Sequence, residues 1–274
     1  MCDPKPHSWA LRLQNRPLAL PSGNCGLRAQ RGFSLVELMV GLTIGLLVVL
    51  AAIGSLIFTQ ATSAAVDESS RLQQKADAVF RNIGYHVSQS GAYELVDGSE
   101  GKVVFSSAFT GFNTGSTHTG IYRVWGENGA SNAADSLGVS YEDSGTSRDC
   151  LGSRPTTANV DSKFYVDATT KDLMCKGATS AAAQSVADGV EDLQVTYGVQ
   201  SAGATPYQFH DASAVSDWTS IQAVRICLQV AGDNKGNPQP SSLVFKGCRD
   251  QTVTNDGLLR RTYWRTFSLR SALL

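Results

Sequence analysis

The chain has 274 residues, 42% of them hydrophobic and 17% charged, with a formal net charge of -1. That composition is enough for one sizeable core plus a membrane segment, and it excludes a disordered or low-complexity chain. Residues 1–32 hold five basic residues against Asp3, leaving 18 basic against 23 acidic in the remainder, a mildly acidic body unsuited to general phosphate or nucleic-acid binding.

The first predicted element is the apolar run. From Leu38 to Phe58 there are 21 residues without a charge, long enough to cross a bilayer as a helix. Arg28 and Arg31 precede it and Asp67 and Glu68 are the first charges after it, so the N-terminus is expected to stay cytoplasmic. A cleaved secretory signal is the competing reading, with Ala51, Ala52, Gly54 and Ser55 as a cleavage region. The length of the run, its edge carboxylate Glu37 and its unbroken passage into further helical sequence count against it.

The pattern after Gln60 becomes amphipathic. Val66, Leu72, Ala76, Val79, Phe80, Ile83 and Val87 recur mostly at three- and four-residue spacing with Arg71, Lys75, Asp77 and Arg81 between them. A helix from Ser34 to about Ser88 is predicted, roughly 80 Å long at 1.5 Å per residue, with Gly84 and Gly91 as weak points near its end. Gly41 and Gly45 form a small-xxx-small pair that admits a second helix.

Strands are predicted at Val103 to Phe109, Ile121 to Trp125, Leu137 to Tyr141, Lys163 to Val166, Leu193 to Val199, Ile221 to Val230 and Thr262 to Leu269. FYVDATTKDLMC reads as a hairpin turning at Asp167 to Thr170, while 142–160 and 200–217 read as surface loops. The expected fold is α+β: a long N-terminal helix, membrane-spanning in its first half, packed through its second half on an antiparallel sheet. The expected segments are 1–32, 33–60, 61–92 and 93–274.

Cys2 and Cys25 fall in the N-terminal segment, and Cys150, Cys175, Cys227 and Cys248 in the β-rich one, on the side of the membrane where disulfides persist. Four cysteines allow three pairings; Cys150 with Cys175 and Cys227 with Cys248 is favoured, each closing a loop of about 20 to 25 residues. Metal binding is the alternative, but CxxC and CxH spacings are missing, and no metal or other cofactor is expected. His86, His118 and His210 are scattered, with no GxSxG or HExxH, so no catalytic residues are assigned. The stretch from Gly232 to Pro238 reads as a hairpin connection before a calcium loop, since Lys235 opposes a cation. Trp125, Tyr207 and Trp218 are assigned to core packing before any ligand surface.

Gly32-Phe33-Ser34-Leu35-Val36-Glu37-Leu38 followed by the apolar run resembles the signal of type IV prepilins and type II secretion pseudopilins. That resemblance implies cleavage between Gly32 and Phe33 by prepilin peptidase, methylation of the new Phe33 amine, and a register role for Glu37. Three later stretches, DGVEDLQVTYGV, DWTSIQAVRICLQV and YWRTFSLRSALL, are similar in order and spacing to successive elements of the PilW family of minor type IV pilins. Ser271 stands where relatives often end in Asn, Gly54 where many pilins carry a helix-breaking Pro, and the 32-residue leader is longer than is usual for the family unless translation begins later, for example at Leu27.

What the resemblance implies is a non-enzymatic subunit that primes or caps a type IV pilus. Its implied partners are other minor pilins, the major pilin and an inner-membrane assembly platform. Its implied location is the bacterial inner membrane, single-pass with the C-terminal domain in the periplasm, and the pilus tip or filament after assembly. The alternatives are a J-type pseudopilin of type II secretion, or an adhesin or DNA-uptake module at a pilus tip.

Overall fold

The structure, a computed structural model, describes residues 32–92, 123–156, 159–177, 180, 182–200, 208–233, 244–253 and 256–269. The strand expected at Val103 to Phe109, most of the N-terminal segment, Tyr207, His118 and the turn after Asp233 lie outside the described residues. The chain divides into two units, 1–53 and 54–274.

Helix α1 spans Leu35–Gln89. No proline falls within it, and its first bond runs from the Leu38 N–H to the Ser34 carbonyl at 3.1 Å. In the first unit every described residue is exposed.

In the second unit the helix buries Glu68, Leu72, Ala76, Val79, Phe80, Ile83, Gly84, His86 and Val87, a stripe at three- and four-residue spacing. Val66 does not join it. At 100° per residue it lies about 200° from Glu68, on the opposite face, and it is exposed. Glu68 holds the core position in its place, its carboxylate accepting the Asp233 N–H at 2.9 Å. The helix ends where Gly91 takes φ +72°, a left-handed conformation suited to glycine. That end is fastened by the Gly91 N–H to the Ser140 carbonyl at 2.9 Å and the Ser90 hydroxyl to the Arg123 carbonyl at 2.5 Å.

The strands form two antiparallel sheets where one was expected, because the alternating runs divide into two sets, each with its own core face. The first sheet is the meander β1 (Val124–Glu127), β2 (Ser136–Glu142), β3 (Asn159–Val166), β4 (Leu173–Gly177) and β5 (Gln184–Ala187). Its inward residues Val124, Leu137, Val139, Phe164, Leu173 and Cys175 are fully buried. The β3–β4 turn is the expected one, with Asp167 Oδ1 accepting the Thr169 and Thr170 N–H groups at 2.8 and 3.0 Å.

The second sheet is built from β6 (Val190–Val199), β7 (Gln208–Asp211), β8 (Ile221–Ala231) and β11 (Arg260–Ser268), in the order β11-β8-β6-β7. A ribbon of β9 (Phe245–Lys246) and β10 (Thr252–Val253) completes the strands. Strand β7 occupies part of the stretch expected as a loop at 200–217. Its four residues Gln208 to Asp211 have little alternation to announce it, and pairing with β6 supplies the order.

Asp135 couples the two sheets. Its carboxylate accepts from the N–H groups of Gly129 and Val195, each at 2.9 Å, and its own N–H donates to the Leu193 carbonyl at 2.7 Å. Helix α1 packs against both sheets within this unit: the Phe80 and Phe267 rings lie 6.3 Å apart, and His86 lies 5.9 Å from the Phe164 ring. Disulfides join Cys150 to Cys175, strapping the β2–β3 connection to β4, and Cys227 to Cys248, strapping the β9–β10 ribbon to central β8.

Candidate functional site

The N-terminal end of α1 concentrates the residues of interest. Gly32, Phe33 and Ser34 precede the helix, and a Cβ added at Gly32 would meet no atom within 4 Å. Gly32 and Phe33, on either side of the bond between them, are both exposed. Phe33 is exposed, as are Leu35, Val36 and the large apolar side chains onward to Phe58.

Glu37 sits in the first helical turn. The free N–H groups and positive dipole end of the helix favour a carboxylate there, which eases its closeness to apolar surroundings. One spacing goes beyond the motif itself: Phe33, Glu37, Gly41 and Gly45 fall four residues apart. On a helix, positions four apart share a face, so the carboxylate and both glycines form one slightly inclined stripe, with Phe33 just above it. The signal that marks it in the sequence is an i, i+4, i+8 repeat.

Within the described chain, nothing explains glycine on that stripe. A Cβ at Gly41, Gly45 or Gly54 would likewise meet open space. Each glycine in a helix interior costs about 1 kcal/mol relative to alanine, and no described residue offsets that cost at these positions. The threonine hydroxyls, by contrast, are satisfied within the helix. Thr43 Oγ1 donates to the Val40 carbonyl at 2.9 Å, Thr59 to Ser55 at 2.8 Å and Thr62 to Phe58 at 2.9 Å. The helix is long and apolar enough to cross a membrane, and its threonine hydroxyls are all bonded to the backbone, which suits apolar surroundings.

The remaining candidates separate. His86 is buried in the second unit, where its Nδ1 lies 3.1 Å from the Tyr141 hydroxyl. Tyr141 donates to the Arg148 carbonyl at 2.7 Å, so the imidazole carries the Nδ1 proton and donates to the phenol oxygen. Burial pushes His86 down to about 4, which keeps it neutral at pH 7. His210 lies on β7, opposite Tyr197. Trp125 is buried, and Trp218 packs edge-on to the fully buried Tyr197 at 4.8 Å. Among the described residues, no group of three or more His, Cys, Asp or Glu side chains is placed to hold a metal ion.

Comparison with known proteins agrees with this segment and with the second sheet. The family described as Type IV Pilus-assembly protein W matches residues 163–271, from β3 to the end of β11. The prokaryotic N-terminal methylation motif matches residues 27–53, which include Gly32, Phe33, Glu37, Gly41 and Gly45. Among solved structures, a type IV-like pilin from Thermus thermophilus is similar at 12% sequence identity and a TM-score of 0.43, over 74% of this chain and 97% of that one. No curated protein matches.

Proposed function

We propose that this chain, a PilW-like type IV pilin, is a minor pilin that primes or caps a pilus together with other minor pilins. The observation that carries the reading is the stripe of Glu37, Gly41 and Gly45 on a fully exposed apolar helix that begins right after the Gly32–Phe33 bond. Prepilin peptidase cuts that bond, and the Phe33 amine is then methylated. The apolar half of α1 anchors the subunit in the bacterial inner membrane with its β domain in the periplasm. Extraction by the assembly platform later transfers the same helix into the filament or its tip, beside the major pilin.

In that apolar core a lone carboxylate is costly, about 2.5 to 3.5 kcal/mol on insertion scales. Glu37 is neutralised by the Phe33 amine of a neighbouring subunit or of its own chain. Leaving one charge of such a buried pair without its partner costs about 3 to 5 kcal/mol, so only one axial register is stable. Gly41 and Gly45 let the neighbouring helix approach closely enough to form it.

The test is Glu37→Leu in a strain lacking the wild-type copy, reading membrane insertion, cleavage and surface pili separately. The expected outcome is normal insertion and cleavage with at least a tenfold loss of pili. Pili at wild-type levels would remove the register role. Loss of exoprotein secretion with pili intact would instead assign the chain to type II secretion.

A further inference from the structure

The outward face of the first sheet carries a pocket unrelated to the assembly stripe. Its volume is about 370 Å³, and its lining includes Glu127, Ser136, Lys163, Tyr165, Val166 and Lys176. Strand register explains the grouping. Glu127, Ser136 and Tyr165 are successive cross-strand partners on β1, β2 and β3, and Trp125, Gly138, Lys163 and Lys176 form the next row on the same face.

Two features of this pocket work against the fold alone. Lys163 and Lys176 are directly opposite each other on neighbouring strands, an arrangement in which like charges repel. Lys163 is partly neutralised by Glu127 at 3.5 Å and lies 5.7 Å from the centre of the Trp125 ring, but among the described residues Lys176 makes no ion pair. Ser136 is only 8% exposed, and its buried hydroxyl has no hydrogen-bond partner. Buried hydroxyls are ordinarily paired, so an unpaired one lining a pocket leaves a donor for a ligand. Burial, with the Asp167 carboxylate nearby, pushes the Tyr165 phenol up, so it too remains a donor.

The geometry points to a binding site for a single carboxylate group, held between Lys163 and Lys176 with the Ser136 hydroxyl donating to it. Among the lining side chains, two ammonium groups stand against the one carboxylate of Glu127, a local excess of +1 that one monoanion balances. The volume is at the small end of ligand pockets and suits a group the size of an acidic sugar or an amino-acid terminus. Either source presents the same chemistry, and the inference does not depend on the assembly role proposed above.

The experiment is calorimetric titration of the full-length protein in detergent with sodium D-glucuronate, with N-acetyl-L-alanine, and with neutral glucose as control. Saturable binding of at least one carboxylate and none of glucose is expected, and the tighter of the two probes identifies the source. Lys176→Gln should weaken binding at least tenfold and Ser136→Ala several-fold. Glu127→Gln should tighten it several-fold by removing the competing carboxylate, a gain that a merely structural role would not produce. Should Lys163→Gln fail to fold, Lys176→Gln and Glu127→Gln still decide. No saturable binding of either carboxylate, or equal affinity in Lys176→Gln, would overturn the assignment.

Discussion

His86 makes the stability of the β domain depend on pH in a calculable way. In the folded chain burial holds it at about 4, whereas its unfolded value is 6.5. Below pH 6.5 the unfolded chain takes up a proton that the folded chain refuses, so folding loses stability as pH falls, until the folded imidazole itself titrates. The gap, at about 1.36 kcal/mol per pH unit, amounts to about 3 kcal/mol once pH is below 4, of which about 2 kcal/mol is already lost at pH 5. For a unit of this size that lowers Tm by about 4 to 8 °C between pH 7 and pH 5.

Thermal unfolding of the full chain in detergent, followed by near-UV circular dichroism, reads this loss. Asp135, raised by burial, acts in the opposite sense at more acidic pH. The difference between wild type and His86→Gln therefore isolates the imidazole, since glutamine can still donate to Tyr141. The pH-dependent part of that difference should be about 2 kcal/mol at pH 5. A wild type and variant with the same pH dependence between 7 and 5 would mean that His86 is not buried neutral beside Tyr141 and Phe164.

Other perturbations have equally definite directions. Gly84→Ala should destabilise by about 1 to 2 kcal/mol, although helix propensity alone favours alanine by about 1 kcal/mol, because the added Cβ runs into the Phe267 ring. Chemical denaturation checks it, and combining Gly84→Ala with Phe267→Leu should restore most of the loss. Replacing Cys227 and Cys248 together by serine opens a 21-residue separation and unties the β9–β10 ribbon from β8. About 3 kcal/mol should be lost, seen as a fall in denaturation midpoint, and reducing agent should lower the wild-type midpoint further because it also opens Cys150–Cys175.

The long helix is legible because its two halves are written in different codes. An uninterrupted apolar run needs no partner pattern, and the stripe from Leu72 to Val87 repeats at helical spacing. Val66 departs from the expected stripe because apolar character alone does not fix phase, while the charged Glu68 is in phase and finds a backbone partner in Asp233. Long strands such as β6 and β8 announce themselves through β-branched alternation. Short ones such as β5, β7, β9 and β10 hold two to four residues and take their order from neighbours.

The division into two sheets depends on which alternating runs share a face, and that is settled by pairing at long sequence range. The same holds for the carboxylate pocket. Ser136, Lys163 and Lys176 meet only through the register of three strands, so no local motif marks them. At the N-terminal end of α1 the situation is reversed. Gly32, Phe33 and Glu37 lie within six residues, so the motif is complete in the local sequence and needs no long-range pairing to bring it together.

The central claim is that the chain enters the pilin pathway through the Gly32–Phe33 bond. Mass spectrometry of the N-terminal peptide, on membrane-extracted protein from cells with and without prepilin peptidase, tests it most directly. A peptide beginning at N-methylated Phe33 is expected when the peptidase is present, and an uncut junction when it is absent. An N-terminus left intact in the presence of the peptidase, or one created near Ser55, would contradict it.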